Sequence, residues 1–299
     1  MNIVNVLKNI NIECSCEKTG EFESLGLVGY NKGNNVCTFI ENEKYINDLS
    51  HNVSVVITNE EVGRILGKQN KNFVVCIVEN PRVTYFLIHN YLSKLEGYKR
   101  TLFKTEIGNN CQISERAIIS ETNVCIGNNV TVEEFAVIRE NTIIGDNSII
   151  RAGCKIGGEG FEFKTDSTII FRVDHIGGVI IGKNVEIQYN SCIDKAIYPW
   201  DNTVIGDYVK IDNLVHVGHA VKIAERSMII ANSGIGGRTS IGKDSWIGFG
   251  ATIRNGITMG NNTRANMGAV VTKSIGNNEK VTGNFAIPHD EFIAKLKKD

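Results

Sequence analysis

The chain has 299 residues, enough for one large domain or two smaller ones with their own cores. Its formal net charge is -1 and no long run carries one sign, so the composition excludes a basic surface for nucleic acid. Because no stretch of about 18 apolar residues occurs, we expect no membrane span. The eight cysteines form no Cys-x-x-Cys pair, and we interpret them as reduced core thiols of a cytoplasmic protein.

Residues 1–103 show no internal repeat and are predicted to form a small α/β domain. Two runs rich in valine and isoleucine, 53–57 and 73–78, are typical of buried strands. Asn80 followed by Pro81 is a capping residue with proline at the first helical position, which predicts a helix that ends near residue 96.

Residues 104–284 contain a period of six. Every sixth residue from Ile205 to Val271 is aliphatic, methionine or alanine, and earlier blocks with the same spacing begin at Ile107 and Ile181. The residues between them are rich in glycine, asparagine and aspartate, which tolerate a positive φ at tight corners. Such a period predicts a parallel β-helix of hexapeptide repeats with three strands per coil, in which residues 18 apart stack on each other.

Two segments interrupt or follow this repeat. Ile156 and Ile181 are separated by one residue more than a multiple of six, so we predict a loop that leaves the coil near 157–180. Residues 285–299 are predicted to form a short C-terminal helix with Phe292, Ile293 and Leu296 on its inner side.

Several runs of the sequence resemble one family, the hexapeptide-repeat N-acyltransferases that acylate UDP-3-O-acylglucosamine in lipid A synthesis. The runs that carry the resemblance are 209–221 with its Asp-Asn and Gly-His pairs, 178–187 followed by Cys192-Ile193-Asp194, 158–163, and Phe39-x-x-Asn42-x-Lys44-Tyr45. The resemblance implies a left-handed coil and a homotrimer with its active sites between neighbouring subunits. It also implies that the N-terminal domain binds a nucleotide through Phe39, Asn42, Lys44 and Tyr45.

Two differences from that family direct the functional prediction to a related branch. The run 253–258 contains no histidine where the lipid A enzymes carry a second one, and the tail is too short for their extension associated with acyl carrier protein. We therefore predict an enzyme that N-acylates a dTDP- or UDP-linked 4-amino-4,6-dideoxy sugar for surface polysaccharides, with acyl-CoA as the favoured donor. The alternative is a UDP-3-O-acylglucosamine N-acyltransferase that uses acyl carrier protein.

The candidate catalytic residues are His219 and Gly237. An amine that attacks a thioester carbonyl must lose a proton, and histidine is the usual general base near neutral pH. Gly237 lies 18 residues after His219, so its amide is placed to stabilise the oxyanion. Asp212, Asn213 and His216 match the family run and are predicted to contact substrate. We expect no permanently bound cofactor, because the thioester is itself a co-substrate.

Two other classes of function, a zinc enzyme and a non-catalytic scaffold, fit the sequence less well. A zinc site needs three ligands and a water molecule, but His216 and His219 are three residues apart and no third histidine lies in a stacked coil. A non-catalytic scaffold would not require the Asp-Asn and Gly-His pairs. Neither class explains the sequence as well as an acyltransferase does.

Overall fold

The structure, a computed structural model, describes residues 1–16, 18–30, 33–68, 72–166, 168–283 and 285–296. The chain divides into two compact units. The first contains residues 1–101 and 161–176, and the second contains residues 102–160 and 177–299. Across the described ranges, none of the helices combines the length and the apolar character needed to cross a bilayer.

The first unit is built on a five-stranded sheet with the order β1-β5-β4-β3-β2. The pairs β2–β3, β3–β4 and β4–β5 are parallel, and the pair β1–β5 is antiparallel. Its elements are α1 (Ile3–Asn9), β1 (Ser15–Cys16), β2 (Ser24–Leu25), β3 (Val36–Ile40), a 3₁₀ helix (Glu43–Asp48), β4 (Val53–Thr58), α2 (Glu60–Gly67), β5 (Val74–Ile77), α3 (Pro81–Leu92) and a 3₁₀ turn (Glu96–Tyr98).

The carboxyl ends of β3, β4 and β5 lie at one edge of this sheet because the three strands are parallel. An asparagine begins the helix that follows each strand. Asn42 accepts a hydrogen bond from Lys44 N–H, Asn59 caps α2 and Asn80 caps α3. In open parallel sheets this edge is where ligands usually bind.

Residues 161–176 leave the repeat as an antiparallel hairpin of strands Phe163–Thr165 and Ile170–Arg172. The hairpin and the residues after it are hydrogen-bonded to α3. Asn90 Nδ2 donates to Arg172 O at 2.7 Å, and Ser93 Oγ donates to Asp174 Oδ2 at 2.6 Å. The loop predicted near 157–180 is thus a hairpin segment, and its residues 161–176 belong to the same compact unit as the first 101 residues.

The second unit is a stack of short parallel strands on three faces. Face 1 consists of Gln112–Ile113, Thr131–Val132, Ile149–Ile150, Glu186–Ile187, Lys210–Ile211, Met228–Ile229, Trp246–Ile247, Arg264–Ala265 and Lys280–Val281. Face 2 consists of Ile118–Ile119, Val137–Ile138, Lys155–Gly158, Cys192–Asp194, His216–Val217, Gly234–Ile235, Thr252–Ile253 and Val270–Val271. Face 3 consists of Glu106–Ile107, Val124–Ile126, Thr142–Ile144, Gly178–Ile181, Asn202–Ile205, Lys222–Ile223, Ser240–Ile241 and Thr258–Met259.

The period of six has a direct structural cause. The second residue of a typical two-residue strand is buried inside the prism, as for Ile211, Val217 and Ile223, while its predecessor faces outward. A residue with positive φ at each corner, often asparagine, then turns the chain by one face. The predicted fold class, a β-helix of hexapeptide repeats with a small N-terminal α/β unit, is confirmed.

One coil is longer than the sequence indicated. Ile187 pairs with Ile211 on face 1 and Ser191 contacts Val215, both 24 positions apart, whereas the next coil advances by 18, from Ile211 to Ile229. The extra residues lie between Asp194 and Asn202 and bury Ile197 and Tyr198. The expectation of 18-residue stacking therefore fails at this coil, because an insertion of six leaves the aliphatic period unchanged.

The tail forms helix α4 (His289–Leu296). Ile293 is partly buried, while the side chains of Phe292 and Leu296, together with residues 297–299, lie outside the described part of the chain.

Candidate active site

His219 lies at a corner of the β-helix. The strand His216–Val217 buries Val217 inside the prism, so His216 faces outward and the chain turns directly afterwards. His219 is partly buried at that turn. Ala220 follows with a φ of 58°, and its N–H donates to Thr203 Oγ1 at 2.8 Å. This bond fixes the backbone beside the histidine ring.

Gly237 lies one coil further on, against the His219 ring. A Cβ atom at Gly237 would lie 2.6 Å from His219 Nε2, closer than real side chains approach. A side chain at position 237 would therefore displace the imidazole from this place. Arg238 N–H donates to His219 O at 2.8 Å, which confirms that the two corners are stacked as their 18-residue spacing predicted.

Some corner amides of the β-helix donate a hydrogen bond to a side chain of a neighbouring coil. Ala231 N–H donates to Asp212 Oδ2 at 3.1 Å, and Lys243 N–H donates to Asn261 Oδ1 at 3.0 Å. Among the described residues, no oxygen accepts a hydrogen bond from Gly237 N–H. This donor beside His219 is thus available to an oxygen atom of a ligand.

Asp194 is a buried carboxylate that the sequence analysis did not select. It is 8% exposed, and its Oδ2 lies 3.7 Å from His216 Nε2. Burial raises the pKa of Asp194, while the nearby His216 and His219 act in the opposite direction. The carboxylate is therefore positioned to stabilise positive charge on these two rings.

The inserted residues connect Asp194 to the histidine corner. Thr203 Oγ1 donates to Asp194 O at 2.6 Å and accepts from Ala220 N–H. One buried hydroxyl group therefore joins the two ends of the insertion to the turn that carries His219. The signals available in the sequence were Asp194 itself, within a run of the family resemblance, and a proline at 199 where the period calls for an aliphatic residue.

A polar cleft of about 510 Å³ opens near Asp194, on the same unit. Gly158, which pairs with Asp194, lines it together with Arg139, Glu140 and Lys195. The Lys195 side chain is almost fully buried, and its Nζ lies 3.2 Å from Glu140 Oε1. The cleft combines cationic and anionic groups, which suits a polar, charged ligand.

Asp212 and Asn213 form the preceding corner on face 1. The two carboxylate oxygens of Asp212 accept from Asn213 N–H at 2.8 Å and from Ala231 N–H. Asn213 Oδ1 is buried, and none of the described residues donates a hydrogen bond to it. In this chain Asp212 therefore holds two successive coils together.

The predicted nucleotide-binding residues lie at the carboxyl end of β3. Asn42, Lys44 and Tyr45 are exposed on the 3₁₀ helix Glu43–Asp48, with Lys44 Nζ 4.8 Å from the centre of the Tyr45 ring. Phe39 is separate from them, because its ring packs on Tyr85 at 4.9 Å. The structure thus brings three of the four residues together on one surface and places Phe39 in the aromatic core.

A glutamate at the same edge was missed by the sequence analysis. Glu41 Oε1 accepts from Arg82 N–H at 3.1 Å, at the start of α3. This bond joins the end of β3 to the helix that begins at Pro81. The sequence carried no specific signal for it, since the two residues are 41 positions apart.

Comparison with known proteins supports the class of fold. Residues 123–158 match the family model described as bacterial transferase hexapeptide (six repeats). The UDP-N-acetylglucosamine acyltransferases of Campylobacter jejuni and Arabidopsis have similar structures. The first is 22% identical with a TM-score of 0.55, over 65% of this chain and 78% of its own. The second is 23% identical with a TM-score of 0.54, over 60% of this chain and 62% of its own. This chain therefore has the left-handed β-helix of hexapeptide-repeat proteins.

More specific similarity comes from sequence relatives. UDP-3-O-acylglucosamine N-acyltransferase 2 of Legionella pneumophila (strain Lens) is 48% identical over 99 residues, which is 33% of this chain and 28% of that protein. The UDP-3-O-acylglucosamine N-acyltransferase of Rickettsia massiliae (strain Mtu5) is 50% identical over 99 residues, with the same coverage. The matched segment thus spans little more than a quarter of each relative. The resemblance recognised in the sequence is confirmed.

These relatives correct the prediction of substrate. The acceptor and donor predicted from the sequence, a 4-amino-4,6-dideoxy sugar and acyl-CoA, are wrong. The similar proteins are named for UDP-3-O-acylglucosamine, so the alternative is the better supported one. A missing histidine and a short tail were weaker signals than the long matching run.

Proposed function

We propose that this protein transfers an acyl group from acyl carrier protein to the amine of UDP-3-O-acylglucosamine. The observation that carries the proposal is that Gly237 lies against the His219 ring in the stacked corner of the next coil. The names of the sequence relatives supply the acceptor. Acyl carrier protein is the donor that the family resemblance of the sequence implies.

In the proposed reaction, the amine nitrogen attacks the thioester carbonyl carbon. His219 accepts the proton that the amine loses, and the Gly237 N–H donates to the oxyanion of the tetrahedral intermediate. The carbon–sulfur bond then breaks, the thiolate leaves with a proton from His219, and an amide remains on the sugar. The buried Asp194 carboxylate, whose pKa is affected by both His216 and His219, stabilises the His219 imidazolium in the intermediate.

The two units have separate proposed roles. The exposed group Asn42, Lys44 and Tyr45 offers an amide, a cation and an aromatic ring, which suit a base edge, a phosphate and a stacked uracil. The β-helix unit carries the proposed chemistry at His219 and Gly237. We further propose that the enzyme works as a homotrimer in the cytoplasm.

The test is turnover of the purified protein with defined substrates. We expect acylated UDP-3-O-acylglucosamine, detected by mass spectrometry, when acyl carrier protein carries the acyl group. A UDP-linked 4-amino-4,6-dideoxy sugar serves as the control acceptor and should give little product. No transfer to UDP-3-O-acylglucosamine from acyl donors of any chain length would refute the proposal.

A further inference from the structure

Three cysteines of the first unit form a cluster that the proposed reaction does not use. Cys16 Sγ lies 2.7 Å from Cys76 Sγ and 3.9 Å from Cys14 Sγ. The three sulfur atoms lie within 4.8 Å of one another, and all are free thiols. Cys14 and Cys16 are partly exposed, while Cys76 is buried.

The backbone brings Cys16 and Cys76 directly opposite each other. β1 pairs with β5 in an antiparallel register in which Cys16 faces Cys76. Directly opposed residues of antiparallel strands have Cα atoms about 4.5–5.5 Å apart. Disulfides bridge Cα separations of about 4.4–6.8 Å, so a bond can form here without movement of the strands.

A metal site is the other chemistry that three thiols offer. Sulfur ligands at about 2.3 Å from a tetrahedral zinc ion are held roughly 3.8 Å apart. The Cys14–Cys16 separation fits that value, but the 2.7 Å between Cys16 and Cys76 is far too short for it. Among the residues that the structure describes, the cluster also contains no fourth histidine, cysteine or carboxylate ligand.

We propose that Cys14, Cys16 and Cys76 form a reversible thiol–disulfide exchange site, in which a low-molecular-weight disulfide oxidises Cys16 and Cys76 to a cross-strand disulfide. The Cys16 thiolate attacks the small disulfide, so that a mixed disulfide forms and one small thiolate leaves. The Cys76 sulfur then attacks Cys16 Sγ and the second small thiolate leaves, taking the Cys76 proton. Two protein thiols are oxidised and one small disulfide is reduced to two thiols.

The three thiols differ in a way that suits this order of events. The contact with Cys76 lowers the pKa of Cys16 to about 7, so the partly exposed thiol is the one that ionises near neutral pH. Burial raises the pKa of Cys14, which therefore stays protonated as a reserve thiol. The return to the reduced state takes two equivalents of a small thiol, which break the Cys16–Cys76 bond and leave as a small disulfide.

The experiment treats the full-length protein with oxidised glutathione and counts thiols in denaturant. We expect the count to fall from eight to six, and peptide mapping to find Cys16 joined to Cys76. Dithiothreitol should restore all eight. Because the bond closes a loop between residues 60 positions apart, the oxidised protein should also unfold at a higher temperature than the reduced one.

Matched variants separate the cluster from the remaining thiols. Cys16→Ser and Cys76→Ser should abolish the link, whereas Cys14→Ser and the unclustered Cys125→Ser should retain it. The mapping of the unmodified protein needs no variant and so remains decisive if a substitution disturbs folding. Eight thiols after oxidation, a link between other cysteines, or zinc bound at one equivalent with all three thiols protected would each overturn the proposal.

Discussion

At the scale of single residues, the proposed chemistry depends most on His219. The His219→Ala variant should lower kcat by about 10²–10⁴-fold, the contribution typical of a positioned general base. The fold should persist because the ring lies at a corner and is only partly buried. Steady-state kinetics and circular dichroism measure both effects.

His51→Ala is the matched control, since His51 is an exposed histidine of the first unit. It should leave kcat unchanged. A folded His219→Ala enzyme with less than about threefold loss of kcat would reduce His219 to a corner residue without a catalytic role.

The Asp194 carboxylate should lower the free energy of unfolding at neutral pH while it supports catalysis. Burial raises the pKa of its carboxyl group in the folded state, so between the unfolded and folded pKa values the folded chain binds more protons than the unfolded one. Stability therefore falls as the pH rises through that window and stays lower above it. Asp194→Asn should raise Tm at pH 7 while it reduces kcat.

The magnitude is accessible to calorimetry, because about 1 kcal/mol shifts Tm by about 2–4 °C in a chain of 150–250 residues. The gain in Tm should vanish at a pH below the ordinary pKa of aspartate, where both forms are neutral. A variant with lower Tm at pH 7 and full activity would contradict the assignment of Asp194 as a positioning residue.

At the scale of elements, the 3₁₀ helix Glu43–Asp48 is expected to recognise the nucleotide. Loss of a stacked aromatic ring typically weakens the binding of a base by about 1–3 kcal/mol. Tyr45→Ala should therefore raise the KM for the UDP-linked substrate by about tenfold or more, with little change in the KM for the acyl donor.

Tyr189→Ala provides a matched control for that measurement. Tyr45 and Tyr189 are exposed to nearly the same extent, 43% and 44%, but Tyr189 lies on the β-helix. Equal changes in both variants, or equal changes in the KM values of both substrates, would argue against a nucleotide site on this helix.

At the scale of the whole molecule, the surface predicts self-association. The β-helix exposes large apolar side chains, among them Phe135, Leu214, Met267 and Val270, each more than half exposed. We expect these side chains to lie in a subunit interface that cyclic symmetry closes. Sedimentation equilibrium should give three times the chain mass of 33.0 kDa. A mass near 33.0 kDa at working concentration would exclude the trimer.

The sequence predicted the β-helix well because its period of six is a direct result of one inward side chain per strand. It also predicted the contact of His219 with Gly237, since residues 18 apart stack. The role of Asp194 was not predicted because it depends on the insertion that ends before Asn202. An insertion of six residues does not alter the period. The acceptor was predicted wrongly because the missing histidine in the run 253–258 was given more weight than the long run that matches the UDP-3-O-acylglucosamine N-acyltransferases.

The longer coil has a genetic consequence. Six residues correspond to one strand and one corner. A gain or loss of six therefore keeps every later aliphatic residue pointing inward, and it can change only the face of the prism on which that residue lies. The chain between Asp194 and Asn202 forms no strand. The strand that begins at Asn202 therefore still joins face 3. Genes of this architecture should therefore tolerate insertions of 18 nucleotides far better than insertions of 15 or 21, even next to the catalytic corner.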